Sequence, residues 1–100
     1  MLIVTARIAG DAATIDALTP AIAAMEAASR AEDGCEDYTF CRELTDPNTI
    51  RIIERWASVE ALQAHFATPH MATFREAMGK HDLGAVEVSA FDATEVPFPA

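Results

Sequence analysis

Positive charge is scarce in this 100-residue sequence, where 7 Lys and Arg stand against 16 Asp and Glu for a formal net charge of −9. With no basic run either, nucleic-acid phosphates and anionic membrane surfaces are poor partners. Long apolar runs are missing too, and nothing approaches the roughly 18 residues a membrane span requires. The start, MLIVTARIAGD, has no positively charged region and reaches Arg7 and Asp11 before a signal-type apolar segment forms, so a soluble, cytoplasmic protein is expected. The 2 Cys, Cys35 and Cys41, fall on one expected strand, roughly 20 Å apart when extended, which excludes a disulfide within it. Nothing around them has metal-ligand spacing, and they are expected as reduced, half-buried thiols with no metal. Asn48 is the sole Asn, and there is 1 Trp and 1 Tyr.

What is present is a core. With 51% hydrophobic residues the chain is expected to fold as a single domain over residues 1–100, with one layered core and no room for a second. LIVTARIA, residues 2–9, is apolar on both parities and predicts a strand covered on both faces. Ile15, Leu18, Ile22, Met25 and Ser29 then recur at three and four, which predicts an amphipathic helix over 12–30. Pro20 interrupts the donors of that helix and predicts a bend. Gly34 supplies the permissive residue after it. CEDYTFCREL, residues 35–44, sets Tyr38, Phe40 and Arg42 against Cys35, Thr39 and Cys41 and reads as a second strand. Thr45-Asp46-Pro47-Asn48 is a turn, so a hairpin leads into a third strand over 49–57. A short helix over 59–67 follows Ser58 as N-cap, and Thr68-Pro69 restarts a second one. Val86, Val88 and Ala90 alternate with Glu87, Ser89 and Phe91 in a fourth strand.

The order β-α-β-β-α-β, with its second helical region split, predicts an α+β, ferredoxin-like domain: a four-stranded antiparallel sheet with helices on one face. Several strands are apolar on both parities, and the chain has no spare element to cover the second face. A homodimer packed sheet on sheet is therefore expected, and the tail EVPFPA is a candidate to reach a partner chain.

The chemistry-bearing residues concentrate in TIRIIERWASVEALQAHFATPHMATF, residues 49–74. Glu54 and Trp56 share a strand face, while His65 lies on or beside the buried face of the next helix, so strand, turn and helix converge on one pocket. Met25, Met71, Met78 and Phe74 are expected to line the helix–sheet core and any cavity in it. Each candidate also has a structural reading. Trp56 fills a core as readily as it walls a pocket, and His65 serves as a backbone-bonded helix residue as readily as a base. His70, at the second position of a short helix, is expected exposed or capping. Glu54 faces the pocket or pairs with Arg7 or Arg42, and the pair is the expectation. Tyr38 packs on the sheet with a wet hydroxyl or donates to a bound phenol or quinone oxygen.

SRAEDGCEDYTF, then a turn, then ERWASVEALQAHFATPHMATF, resembles the antibiotic biosynthesis monooxygenase family of dimeric α+β barrels over nearly the whole chain. Arg30, Glu32, Gly34-Cys35, Tyr38, Glu54, Trp56, Ala61-Leu62, His65 and His70 carry the resemblance. It implies the ferredoxin-like dimer and a family of several chemistries: oxidation of quinols or polyketide-like phenols by oxygen without metal or flavin, haem degradation, and small-molecule isomerisation. Haem-degrading members use an Asn on the first strand, and LIVTARIA has none. The leading expectation is a monooxygenase that oxidises a phenol or quinol with no cofactor, in which His65 is the base and Trp56, Phe66, Tyr38, Glu54 and Phe74 surround a small aromatic or quinone-like ligand. The alternative is a non-catalytic ligand-binding or stress-associated dimer of the same fold.

Overall fold

The computed structural model describes residues 1–100, and its elements run β1 (Leu2–Ala9), α1 (Ala12–Arg30), β2 (Cys35–Arg42), β3 (Thr49–Trp56), α2 (Val59–Phe66), α3 (Pro69–Gly79) and β4 (Val86–Asp92). The strands form one antiparallel sheet in the order β2-β3-β1-β4. This is the ferredoxin-like α+β arrangement.

Register decides which side chains meet the helices. β1 and β3 pair Val4 with Glu54, Ala6 with Ile52 and Ile8 with Ile50, and β4 adds Ala90, Val88 and Val86 opposite the same three β1 residues. Because side chains alternate across a strand, these residues share one face with Tyr38 and Phe40 of β2. α1 lays Ile15, Leu18, Ile22 and Met25 on that face, and Phe74 of α3 completes the core. Each fully buried aliphatic or aromatic side chain contributes about 1.5–3 kcal/mol by leaving water. The opposite face carries Arg7, Arg51, Ile53, Glu87, Ser89 and Phe91 and has no helix over it.

Local chemistry explains the boundaries. Asp11 caps α1 by accepting from the Thr14 amide at 2.8 Å, and Ser58 and Thr68 cap α2 and α3 in the same way. α1 continues through Pro20 as one helix, since packing of its apolar stripe outweighs one lost donor. β2 ends at Arg42, two residues before the expected Leu44, which is fully exposed. A bulge between Cys35 and Asp37 reverses the expected parity of Cys35: it sits opposite Trp56 and packs against the core beside Tyr38's face. Both cysteines are free, and Cys41 is exposed rather than half-buried.

Candidate functional site

Gly34 brings the first part of the site together. It turns the chain out of α1 at φ 81°, and a Cβ placed on it would lie 2.7 Å from the Ala61 methyl group. Only a residue without a side chain lets the turn Ala31–Gly34 approach α2 so closely. The turn is fastened there by the Ala57 amide, which donates to the Gly34 carbonyl at 2.7 Å. Glu32, on this turn, is thereby carried to the C-terminal end of α2.

Thr68 brings the second part. Its hydroxyl donates to the His65 carbonyl at 2.7 Å while accepting from the Met71 amide, so one residue ends α2 and begins α3. His65 and His70 therefore project from two helices toward one point, their ring centroids 6.0 Å apart. There a single oxygen, Glu32 Oε2, lies 2.6 Å from His65 Nδ1 and 2.7 Å from His70 Nε2. His65 is buried at 1% exposure, and its ring lies against Trp56 and Tyr38 with centroids at 4.9 and 5.3 Å.

On the other side of His65 is a cavity of ≈ 320 Å³ between the sheet, α2 and α3, with 12 hydrophobic residues among the 15 that line it. Its floor is β1 and β3, its roof Leu62, Phe66, Met71, Phe74 and Met78, and its outer wall Val86 and Val88 of β4. The polar groups on this lining are Tyr38, Glu54, His65 and, from an exposed side chain, Arg75. An apolar cleft with a few convergent polar groups is the ordinary form of a small-ligand site, and this volume lies at the small end of that range.

Burial shifts two of those groups toward their neutral forms. Burial pushes the Glu54 carboxyl above its ordinary value, and the charge of Glu32 adds to the shift; the Trp56 indole N–H, donating to Glu54 Oε1 at 2.9 Å, and His65 oppose it. Burial likewise raises the Tyr38 phenol, with Glu54 and Glu32 adding to the effect, so it stays a hydrogen-bond donor. Cys35 is raised by burial and then by the negative charge of Glu32 and Glu54, which makes it a poor thiolate.

The sequence-predicted residues sort as follows. His65, Tyr38, Glu54, Phe66 and Phe74 all line the cavity. Trp56 does not. It is fully buried one layer behind, where its N–H reaches Glu54, because its position at the end of β3 places it under the α1–β2 turn rather than under α3. The expected Glu54–Arg pair does not form. Arg7 lies on the other sheet face with Glu43, and Arg42 reaches Asp16 at the far end of the strand. Tyr38 is buried at 3% rather than wet, and His70 bonds to Glu32 rather than to solvent or a helix end. Glu32 is not marked by the sequence as a partner of His65, since nothing in a separation of 33 residues announces a contact.

Glu32, His65 and His70 also form the one set whose donor atoms could hold a metal ion, all within 4.8 Å. Both histidine nitrogens already lie at hydrogen-bond distance from the carboxylate, so an ion would have to displace those protons. Asn48 is far from all of this and caps α1, accepting from the Ala12 amide at 2.9 Å.

A ferredoxin-like domain whose helices and sheet enclose an apolar cavity beside a buried histidine–carboxylate cluster is the class of protein defined by fold and site. Residues 1–77 match the model of the family described as antibiotic biosynthesis monooxygenase, and the chain belongs to that family. Among curated proteins it is similar to the probable quinol monooxygenase YgiN of Escherichia coli, 34% identical over 55 residues, which is 47% of this chain and 53% of that protein. It is also similar to Rv0793 of Mycobacterium tuberculosis, 36% identical over 64 residues, which is 64% of this chain and 62% of that one. The matched region thus spans between half and two thirds of these two relatives. Among solved structures, Rv0793 superposes with a TM-score of 0.83 at 27% identity, covering 97% of this chain and 98% of that one. PA3566 of Pseudomonas aeruginosa does so with a TM-score of 0.82 at 28% identity, covering 94% of each. No helix is long and apolar enough to cross a membrane.

Proposed function

We propose that the chain is a cytoplasmic monooxygenase, independent of any cofactor, that oxidises a small phenol or quinol with molecular oxygen, and that His65 is the base. The observation that carries this is His65 itself, an imidazole at 1% exposure on the wall of an apolar cavity of ≈ 320 Å³. Membership of a monooxygenase family and the similarity to a protein named as a quinol monooxygenase support the same reading.

His65 takes the phenolic proton, leaving an electron-rich anion in a medium that solvates it poorly. That anion gives one electron to oxygen, and the phenoxyl radical and superoxide combine at a ring carbon to form a C–O bond. The peroxide accepts the proton back from His65. The O–O bond then breaks, with loss of the ring hydrogen, releasing water and leaving a carbonyl. One oxygen atom enters the ring and the other leaves as water. The Tyr38 hydroxyl donates to an oxygen on which negative charge develops, Glu54 lies beside it on the same lining, and Phe66 and Phe74 wall the ring plane.

Anaerobic protein mixed with 1,4-naphthalenediol and then exposed to oxygen is expected to consume it about 10²-fold faster than a His65→Ala variant. Equal consumption by the two would overturn the role of His65. The second reading, a ligand-binding protein without chemistry, is favoured by Asn48 lying at the α1 cap rather than in the cavity. It predicts that the diol binds while oxygen uptake stays at the rate of free solution.

The assembly proposed is a homodimer through the uncovered sheet face. That face joins Ile3, Ile53 and Phe91 to charges of both signs, Arg7, Arg51 and Arg55 with Asp37 and Glu87, a pattern that can pair with its own copy.

A further inference from the structure

We infer that Glu32 is a positioning residue: its carboxylate holds His65 as the Nδ1–H tautomer and so leaves the Nε2 lone pair free toward the cavity. This rests on His65 being the base, but the arrangement it describes exists whether or not any substrate turns over.

The argument begins with the two edges of one ring. Nδ1 of His65 lies 2.6 Å from Glu32 Oε2, a distance at which one of the two atoms must supply a proton. Glu32 Oε2 also receives His70 Nε2 at 2.7 Å. An ionised carboxylate accepts from both nitrogens at once, and 2.6 and 2.7 Å are the short distances of charge-assisted bonds, whereas a protonated carboxyl would have to serve one nitrogen or both through a weakly basic neutral oxygen. The double contact therefore selects Glu32 as acceptor and both imidazoles as donors.

A neutral imidazole that donates from Nδ1 has its lone pair on Nε2. In His65 that nitrogen is on the opposite edge from Glu32, makes no hydrogen bond within the chain, and is not among the sealed, unpartnered atoms of the interior. The ring lines the cavity and Glu32 does not. The carboxylate thus acts on the ligand only through the imidazole.

His70 has a part in this geometry. Its side chain is 25% exposed and Glu32 is 13% exposed, so the pair forms the outer end of the cluster. By donating to the same oxygen, His70 keeps the carboxylate from rotating away from His65. The remaining titratable groups facing the cluster are Tyr38 and Cys35 of β2 and Glu54 of β3, all on the inner side. None is within hydrogen-bond reach of Nδ1, so none competes with Glu32 for it.

The test reads the tautomer directly. In protein carrying ¹⁵N-labelled histidine, two-bond proton–nitrogen correlations distinguish a protonated from an unprotonated ring nitrogen. Wild-type His65 is expected to show a protonated Nδ1 and a bare Nε2. Finding the proton on Nε2 instead would overturn the proposal, whatever the turnover. Glu32→Gln keeps the side chain's shape but offers an amide that donates as readily as it accepts, so a mixture of tautomers is expected. With 1,4-naphthalenediol as probe, its kcat is expected to fall at least 10-fold with KM little changed, and Glu32→Asp to recover part of the loss. If Glu32→Gln keeps both the tautomer and kcat, the carboxylate does not position His65 and the proposal fails. If wild-type protein shows the expected tautomer, Glu32→Gln scrambles it, and neither consumes oxygen, the positioning role stands and the monooxygenase reading falls.

Discussion

Glu54 has been moved out of water without being given a cation. Its one strong partner is the Trp56 N–H, which stabilises the ionised form but does not offset burial. A carboxyl whose folded pKa lies above its unfolded value holds its proton more tightly in the folded chain. Ionisation therefore costs stability, from about the ordinary value of 4.5 upward until the elevated folded value is passed. Glu54→Gln, which keeps shape and cannot ionise, is expected to flatten that part of the pH profile. In urea titrations its stability relative to wild type should rise across the window and be constant in stronger acid. A difference independent of pH would show that Glu54 is not strained by its burial. At this scale the sequence was informative about which side chains face the pocket and silent about their partners. Parity put Glu54 and Trp56 on one face, but the choice of an indole over an arginine followed from the register, which sets Arg7 on the other face and leaves Arg42 to reach Asp16.

The elements that build the site are short, and their ends matter more than their middles. Ser58, Thr68-Pro69 and Gly34 announced their turns from the sequence because caps and glycines act locally. The same residues fix the convergence of Glu32, His65 and His70, yet that convergence was not legible, since it needs the closeness of Gly34 to Ala61. Gly34→Ala is expected to disturb both. Left-handed backbone costs a residue with a side chain about 1–2 kcal/mol, and the new methyl would press on Ala61 from 2.7 Å. The variant should melt lower than wild type. Its Glu32 turn should also stand off from α2, releasing the His65 Nδ1 proton to exchange with water faster than in wild type. Retention of both the melting temperature and the protected proton would mean that the turn does not depend on that contact.

For the whole molecule, the strand and helix order predicted the ferredoxin-like sheet because hydrophobic periodicity is a local signal repeated in every element. It also predicted that one sheet face would be left bare, and Ile53 and Phe91 on that face are 42% and 54% exposed. If this face meets its own copy, Phe91→Asp is expected to convert a dimer to a monomer in light scattering, with far-ultraviolet circular dichroism unchanged. A wild-type protein that is already monomeric at tens of micromolar would remove the dimer. With a net charge of −9 the copies repel at long range, so association should tighten as salt is added.

β4 is both an edge strand and the outer wall of the cavity. It pairs with β1 alone, and every one of its residues is exposed. Val86 and Val88, which face the cavity, are 52% and 64% exposed. The least protected strand thus forms one wall of the apolar cavity, and fraying of that strand is a route by which a ligand enters and leaves. Its amide protons should exchange with deuterium sooner than those of β3. An aromatic ligand resting on the two valines should slow them, so the residence time of ligand and the opening rate of β4 would be two measures of one motion.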